Sequence, residues 1–139
     1  MIVAVIVAAL IRRRRPDPPP RDAHEIPRQV DRADFPRPDA PWLVALFTSR
    51  TCESCAAMLE KVVVLESGDV ATCDVDYQSR PDLHARYKVS GVPMVVLVDA
   101  DGVVRAGFVG PATATDLWAA LAEVRRRGAS SEPGLGALP

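Results

Sequence analysis

The chain has 139 residues, 48% hydrophobic and 25% charged, with 17 lysines and arginines against 18 aspartates and glutamates. That size and composition fit one globular domain with extensions, and the near-neutral balance excludes the basic footprint of a nucleic-acid binder. Three cysteines are too few for the disulfide framework of a small secreted protein.

Ile2 to Ile11 is a continuous apolar run, succeeded at once by Arg12, Arg13, Arg14 and Arg15. As a helix, about 10 residues reach ~15 Å, half the thickness of a bilayer's hydrocarbon core. A secretory signal carries its positive charge ahead of the apolar run, so the reversed order argues against a cleavable signal peptide. Residues 1–15 are therefore read as the end of a membrane anchor that starts further upstream. A short interfacial anchor and an apolar tail with no membrane role are the other readings. An anchor ending in arginines keeps its C-terminal side in the cytoplasm, so the expectation is a membrane-associated domain facing the cytoplasm. A soluble cytoplasmic protein is the alternative. Residues 16–41 hold eight prolines among charged residues and read as a semi-extended linker, with His24 a solvated bystander. Within it, Arg28 to Phe35 is read as a short edge strand and lead-in, with Phe35 reaching the core.

The domain is placed at residues 42–127. Trp42 to Thr48 is too continuously apolar for a half-exposed strand and reads as a central one. Cys52 to Glu66 reads as a helix, weakened by Val62, Val63 and Val64 and broken at Gly68. Val70 to Asp76 is the next strand, and Pro81 opens a short helix through Tyr87. Met94 to Val98 and Val103 to Val109 read as strands joined by the hairpin turn Ala100-Asp101-Gly102. A last helix is expected from Thr115 to Arg127, opened by a Thr113–Asp116 capping box and closed by three arginines and Gly128. Leu117, Leu121 and Val124 form its buried stripe, with Trp118 alongside. Residues 128–139 read as a disordered tail. Strand, helix, strand, helix, strand, hairpin strand, helix implies an α/β fold: a mixed central sheet with helices on both faces.

Cys52-Glu53-Ser54-Cys55 sits between a strand and a helix, a layout suited to reversible disulfide chemistry, because a helix N-terminus favours the thiolate. Half of a zinc site has the same spacing. Cys73 and His84 are the other soft ligands in the domain, and no second CxxC or paired histidine motif accompanies them, so no metal is assigned. Cys73 is read as a small core residue, and His84 as a surface residue without a catalytic role. Asp74 and Asp76 are read as solvating a strand end.

The stretch Trp42 to Cys55, then Tyr87 to Pro93, then Met94 to Gly110 resembles the thioredoxin family over residues 28–127. The resemblance implies the thioredoxin fold, with Pro93 in the cis form beside the CxxC. It also implies a thiol–disulfide oxidoreductase in which Cys52 attacks and Cys55 resolves the mixed disulfide. Val92 would offer its backbone to an extended substrate peptide by strand addition, with Pro93, Thr51, Glu53 and Ser54 completing the substrate-binding surface. No organic or metal cofactor is implied. The partners implied are protein thiols or disulfides and a redox protein that resets the pair.

This chain departs from the family's pattern in places. Thr51 replaces a tryptophan, Glu53-Ser54 replaces Gly-Pro, and Leu46 and Thr72 stand where many members bury an aspartate and its matching lysine. Losing both halves together is consistent, since one charge alone in a core is costly. These departures favour a narrower substrate range or slower exchange than a general disulfide reductase has, or an oxidising role. They also leave a redox-inert binding or scaffold module as the alternative function. Glu53 should partly offset the pull of the helix terminus on the Cys52 thiol.

Overall fold

The computed structural model describes residues 25–130 of the chain, with side chains as far as Gly128. The apolar run, the arginine run, the start of the linker and the tail from Ser131 onward lie outside the described residues. Four strands, β1 (Trp42–Thr48), β2 (Val70–Asp76), β3 (Met94–Val98) and β4 (Val104–Val109), form one sheet in the order β2-β1-β3-β4. The β1–β2 pair is parallel, and the β1–β3 and β3–β4 pairs are antiparallel. Helices α1 (Cys55–Val63), α2 (Pro81–Arg86) and α3 (Ala114–Ser130) complete the domain.

The mixed sheet with helices on both faces matches expectation. β1 is central, and Leu43 to Phe47 are fully buried, which explains why its sequence lacks polar alternation. Its side chains still alternate between two cores. Leu43, Ala45 and Phe47 pack with Leu83 and Tyr87 at α2, whereas Val44 and Leu46 pack with Met58 and Val62 of α1 and Leu117, Leu121 and Val124 of α3. The CxxC helix therefore rests on the Val44/Leu46 face.

Several local expectations change. Part of the proline-rich segment is built into the domain: Val30, Phe35 and Ala40 are buried, as is the Arg32 guanidinium, which donates to Asp99 O at 3.0 Å and Arg37 O at 3.2 Å. Phe35 reaches the core as expected. The edge strand, however, reduces to one bridge, Gln29 to Val103, and then a 3-10 turn over Arg32–Asp34 capped by Asp31. Helix α1 begins at Cys55, because residues 49–55 are held in successive turns (Cys52 N to Ser49 O 3.1 Å, Cys55 N to Cys52 O 3.4 Å). The same helix ends at Val63, within the β-branched run, rather than at Glu66.

The Thr113–Asp116 capping box forms with both bonds, Asp116 N to Thr113 Oγ1 at 3.0 Å and Thr113 N to Asp116 Oδ2 at 3.4 Å. Helix α3 then runs through Gly128 to Ser130. Gly128 does not stop the helix. It lets α3 approach Trp42, whose Cζ2 would lie 3.1 Å from an added Cβ. Trp118, expected beside the buried stripe, is half exposed.

Candidate functional site

The site is built at the end of the sheet where β1 finishes. Thr48 is the last residue of β1, and Ser49 to Ser54 turn the chain into α1. Because β3 runs antiparallel to β1, its first residue, Met94, pairs with Phe47 at that same end. The Val92–Pro93 peptide bond just ahead of β3 is cis, and Pro93 O accepts from Gly110 N at 2.8 Å. The sheet topology thus gathers CxxC and Gly91-Val92-Pro93 from distant parts of the sequence.

Cys52 and Cys55 are joined as a disulfide, with Cα atoms 5.5 Å apart. Cys52 is partly exposed and Cys55 is buried. A partner can therefore reach the first sulfur and not the second, and that asymmetry is what sequential exchange at one pair requires. Cys52 stands ahead of the helix cap at Ser54 instead of inside the first turn, so the helix-terminus field acts on it less directly than the sequence suggested. Ser54 Oγ lies 3.8 Å from Cys52 Sγ. Thr51 and Glu53 are exposed, Ser54 and Val92 partly exposed, and Pro93 buried.

The loop is fastened to the segment after β2. Gln78 Oε1 accepts from Arg50 N at 3.0 Å, while Gln78 Nε2 donates to Ser49 Oγ at 3.1 Å. Arg50 also pairs with Asp76 at 3.4 Å. Sequence reasoning missed Arg50 and Gln78, whose roles depend on an adjacency that only strand pairing creates.

Leu46 is fully buried against α1, and Thr72 pairs with Val44 on the same face. No charge occupies either place. Beside Leu46, the Asp74 carboxylate accepts a 2.6 Å hydrogen bond from the Thr48 hydroxyl, while Asp76 accepts from Ser79 Oγ at 2.9 Å. Asp74 is therefore committed to a buried hydroxyl as well as to solvent.

The two soft ligands that a zinc reading would recruit lie elsewhere. Cys73 packs on the α2 face of the sheet, half buried, and burial followed by the Asp74 carboxylate pushes its thiol pKa up, opposed by Arg80. His84 corrects a sequence expectation: it is buried, not at the surface, with Nε2 2.7 Å from Val75 O and its ring edge-on to Phe47 and Tyr77. A short amphipathic helix gives no sign of which neighbours will close over it. Among the described residues no group of three or more His, Cys, Asp or Glu side chains is arranged to hold a metal ion.

A family model for a thioredoxin-like domain matches residues 29–125. A point-mutant thioredoxin from Halobacterium salinarum NRC-1 shares 31% identity with a TM-score of 0.53, over 61% of this chain and 75% of that one. Thioredoxin from Fasciola hepatica shares 26% identity with a TM-score of 0.54, over 62% and 83% of the respective chains. The fold is also that of oxidized thioredoxin O2 from Arabidopsis thaliana, at 24% identity, TM-score 0.51, and 61% and 76% coverage. No curated protein sequence matches the chain.

Proposed function

Because the chain belongs to the thioredoxin-like domain family, we propose that it is a thiol–disulfide oxidoreductase acting on protein thiols or disulfides through reversible Cys52–Cys55 pairing. The observation that carries this reading is the asymmetric pair: a disulfide with one accessible and one buried sulfur, at the sheet end that also holds cis-Pro93. In the reducing direction, the Cys52 thiolate attacks a substrate disulfide, forming a mixed disulfide and releasing one substrate thiol. Cys55 then loses its proton and attacks Cys52 Sγ, which releases the second substrate thiol and leaves Cys52–Cys55 oxidised. Two electrons pass from the pair to the substrate, and a redox partner must return them. The chemistry needs no organic or metal cofactor.

Val92 would pair its backbone with an extended substrate segment, with Pro93 fixing the bend and Thr51, Glu53 and Ser54 flanking the reactive sulfur. Replacing Cys55 by Ser should trap mixed disulfides, visible as adducts on non-reducing gels that dithiothreitol removes and Cys52→Ser abolishes. The absence of adducts, together with a Cys52–Cys55 bond that never cycles, would sink the reading. It would favour the redox-inert binding module that the uncharged Leu46 and Thr72 also permit.

Residues 1–15 are proposed to hold the protein at a membrane with its domain in the cytoplasm, on the strength of the apolar run and the arginines that end it. Among the described residues no helix is long and apolar enough to cross a membrane. Carbonate-washed membranes should retain the full chain and lose a variant lacking residues 1–15; equal release of both would count against the anchor.

A further inference from the structure

Between β4 and α3 the chain passes through Gly110, Pro111, Ala112 and Thr113, and this short connection touches both halves of the site. We propose that Lys61 is a positioning residue for substrate, fastening the connection to the CxxC helix so that the cysteine pair and cis-Pro93 keep one geometry during exchange. The inference rests on the oxidoreductase reading above and adds to it a residue that governs how well the substrate segment is held.

The contacts are direct. At one end of the connection, Gly110, at φ +84°, donates its N–H to Pro93 O at 2.8 Å. Two residues on, both main-chain polar groups of buried Ala112 are taken by side chains of α1. Lys61 Nζ donates to Ala112 O at 2.9 Å, and Ala112 N donates to Met58 Sδ at 3.3 Å. Pro111 lies between them with its φ fixed by the ring, so a shift at Ala112 is passed to Gly110 with little slack. Thr113 then caps α3, which holds the far side of the connection.

A lysine in the last turn of a helix ordinarily complements that helix's own terminal carbonyls. Lys61 stands in the last turn of α1, yet it reaches off the helix to a carbonyl 51 residues away in the sequence. It is half-buried, and among the described residues it makes no ion pair, so the bond to Ala112 O is the polar contact its ammonium keeps inside the fold. Met58, Val62 and Leu65 also pack α1 against Leu117 and Leu121 of α3. Apolar packing of this kind is non-directional, whereas the two hydrogen bonds set the level of α1 along the connection. The pairing of Phe47 with Met94 fixes β1 against β3 but does not itself hold α1.

Exchange makes this fastening matter. While Cys52 and Cys55 are bonded, the disulfide ties Cys52 to the first residue of α1. In the mixed disulfide Cys52 is bonded to substrate instead, and that tie is gone. The helix must still keep its place against Val92 and Pro93, so that Cys55 reaches Cys52 Sγ while the substrate segment lies along Val92. No proton or electron passes through Lys61; the bonds that form and break are those of the exchange described above.

The test uses the full chain and its Lys61→Met and Lys61→Arg variants. Steady-state reduction of a peptide disulfide, with dithiothreitol resetting the pair, gives KM and kcat. Stopped-flow reduction of Cys52–Cys55 by dithiothreitol alone is the comparison, because that small thiol brings no segment to hold. Amide hydrogen exchange at Gly110 is followed in the oxidised proteins. Lys61→Met should raise KM about tenfold with kcat within about twofold, and Lys61→Arg, which keeps a charged donor, should recover most of the loss. Gly110 exchange should quicken in Lys61→Met and not in Lys61→Arg. An unchanged KM in a Lys61→Met variant whose unfolding midpoint shows it folded would overturn the proposal. So would a raised KM with Gly110 exchange unaltered, since Lys61 would then act without holding the connection. Equal losses in peptide reduction and in dithiothreitol reduction would also overturn it, by making Lys61 a support of α1 alone. A parent that reduces no peptide disulfide overturns the oxidoreductase reading instead, and the exchange measurement, which needs no turnover, still decides whether Lys61 holds the connection to cis-Pro93.

Discussion

At the scale of single residues, the site is defined as much by what was removed as by what remains. Leu46 fills, with no exposure, a place where a carboxylate would need a partner, and Thr72 supplies none. Leu46→Asp should therefore destabilise the fold by about 3–5 kcal/mol at neutral pH, the cost of an uncompensated buried charge. Urea unfolding at pH 4 and pH 8 checks this, since protonation at the lower pH should recover part of the loss. Cys73 makes a separate prediction. Its thiol pKa is pushed up mainly by burial and next by Asp74, so the folded chain holds this proton longer than the unfolded one. The resulting stability is complete below the unfolded thiol value of about 8.5 and is lost as pH rises through the higher folded value. Cys73→Ala should flatten the alkaline decline in the urea midpoint. Tyr87, whose pKa burial and its hydrogen bond to Asp34 also raise, contributes in the same direction, so Tyr87→Phe is the companion measurement. A decline left untouched by both variants would contradict the assignment.

At the scale of elements, turns carry the precision. Gly102 closes the β3–β4 hairpin at φ +82°, and a Cβ there would lie 2.1 Å from Val30 O. Gly102→Ala should cost about 2–4 kcal/mol in thermal or chemical unfolding, because it combines a left-handed backbone with a clash against main chain. A loss under about 0.5 kcal/mol, the scale of an ordinary surface substitution, would show that the lead-in segment yields without cost. The hairpin itself was legible from Ala100-Asp101-Gly102. Its second partner was not, because Val30 N bonds to Gly102 O across a gap of more than seventy residues. The start of α1 differs from the helical pattern of the sequence for a related reason. Helical pattern begins at Cys52, but the turns around Ser49 and Cys52 hold the chain until Cys55. Gly128 looked like a stop signal and proved to be a place of close approach to Trp42.

At the scale of the whole molecule, the sheet separates two cores, and only one of them supports the redox pair. Met58→Ala and Leu83→Ala each remove a fully packed side chain, and each should cost about 2–5 kcal/mol. Only Met58→Ala, which hollows the seat of α1, should also change the rate at which dithiothreitol reduces Cys52–Cys55 in the folded protein. Equal effects of the two variants on that rate would show that the cores are not separable in this way. The sequence by itself determined the strand and helix order, the CxxC, the Gly91-Val92-Pro93 segment and the absence of the buried charged pair. Each of these arises from local apolar patterning, turn chemistry or residue identity. The tertiary structure alone decided that His84 is buried, that part of the proline-rich segment belongs to the domain, and that Asp74 lies beside Leu46 with the Thr48 hydroxyl in its grasp. Those facts depend on which strands pair and which faces close, and such long-range contacts leave no periodic trace in the sequence.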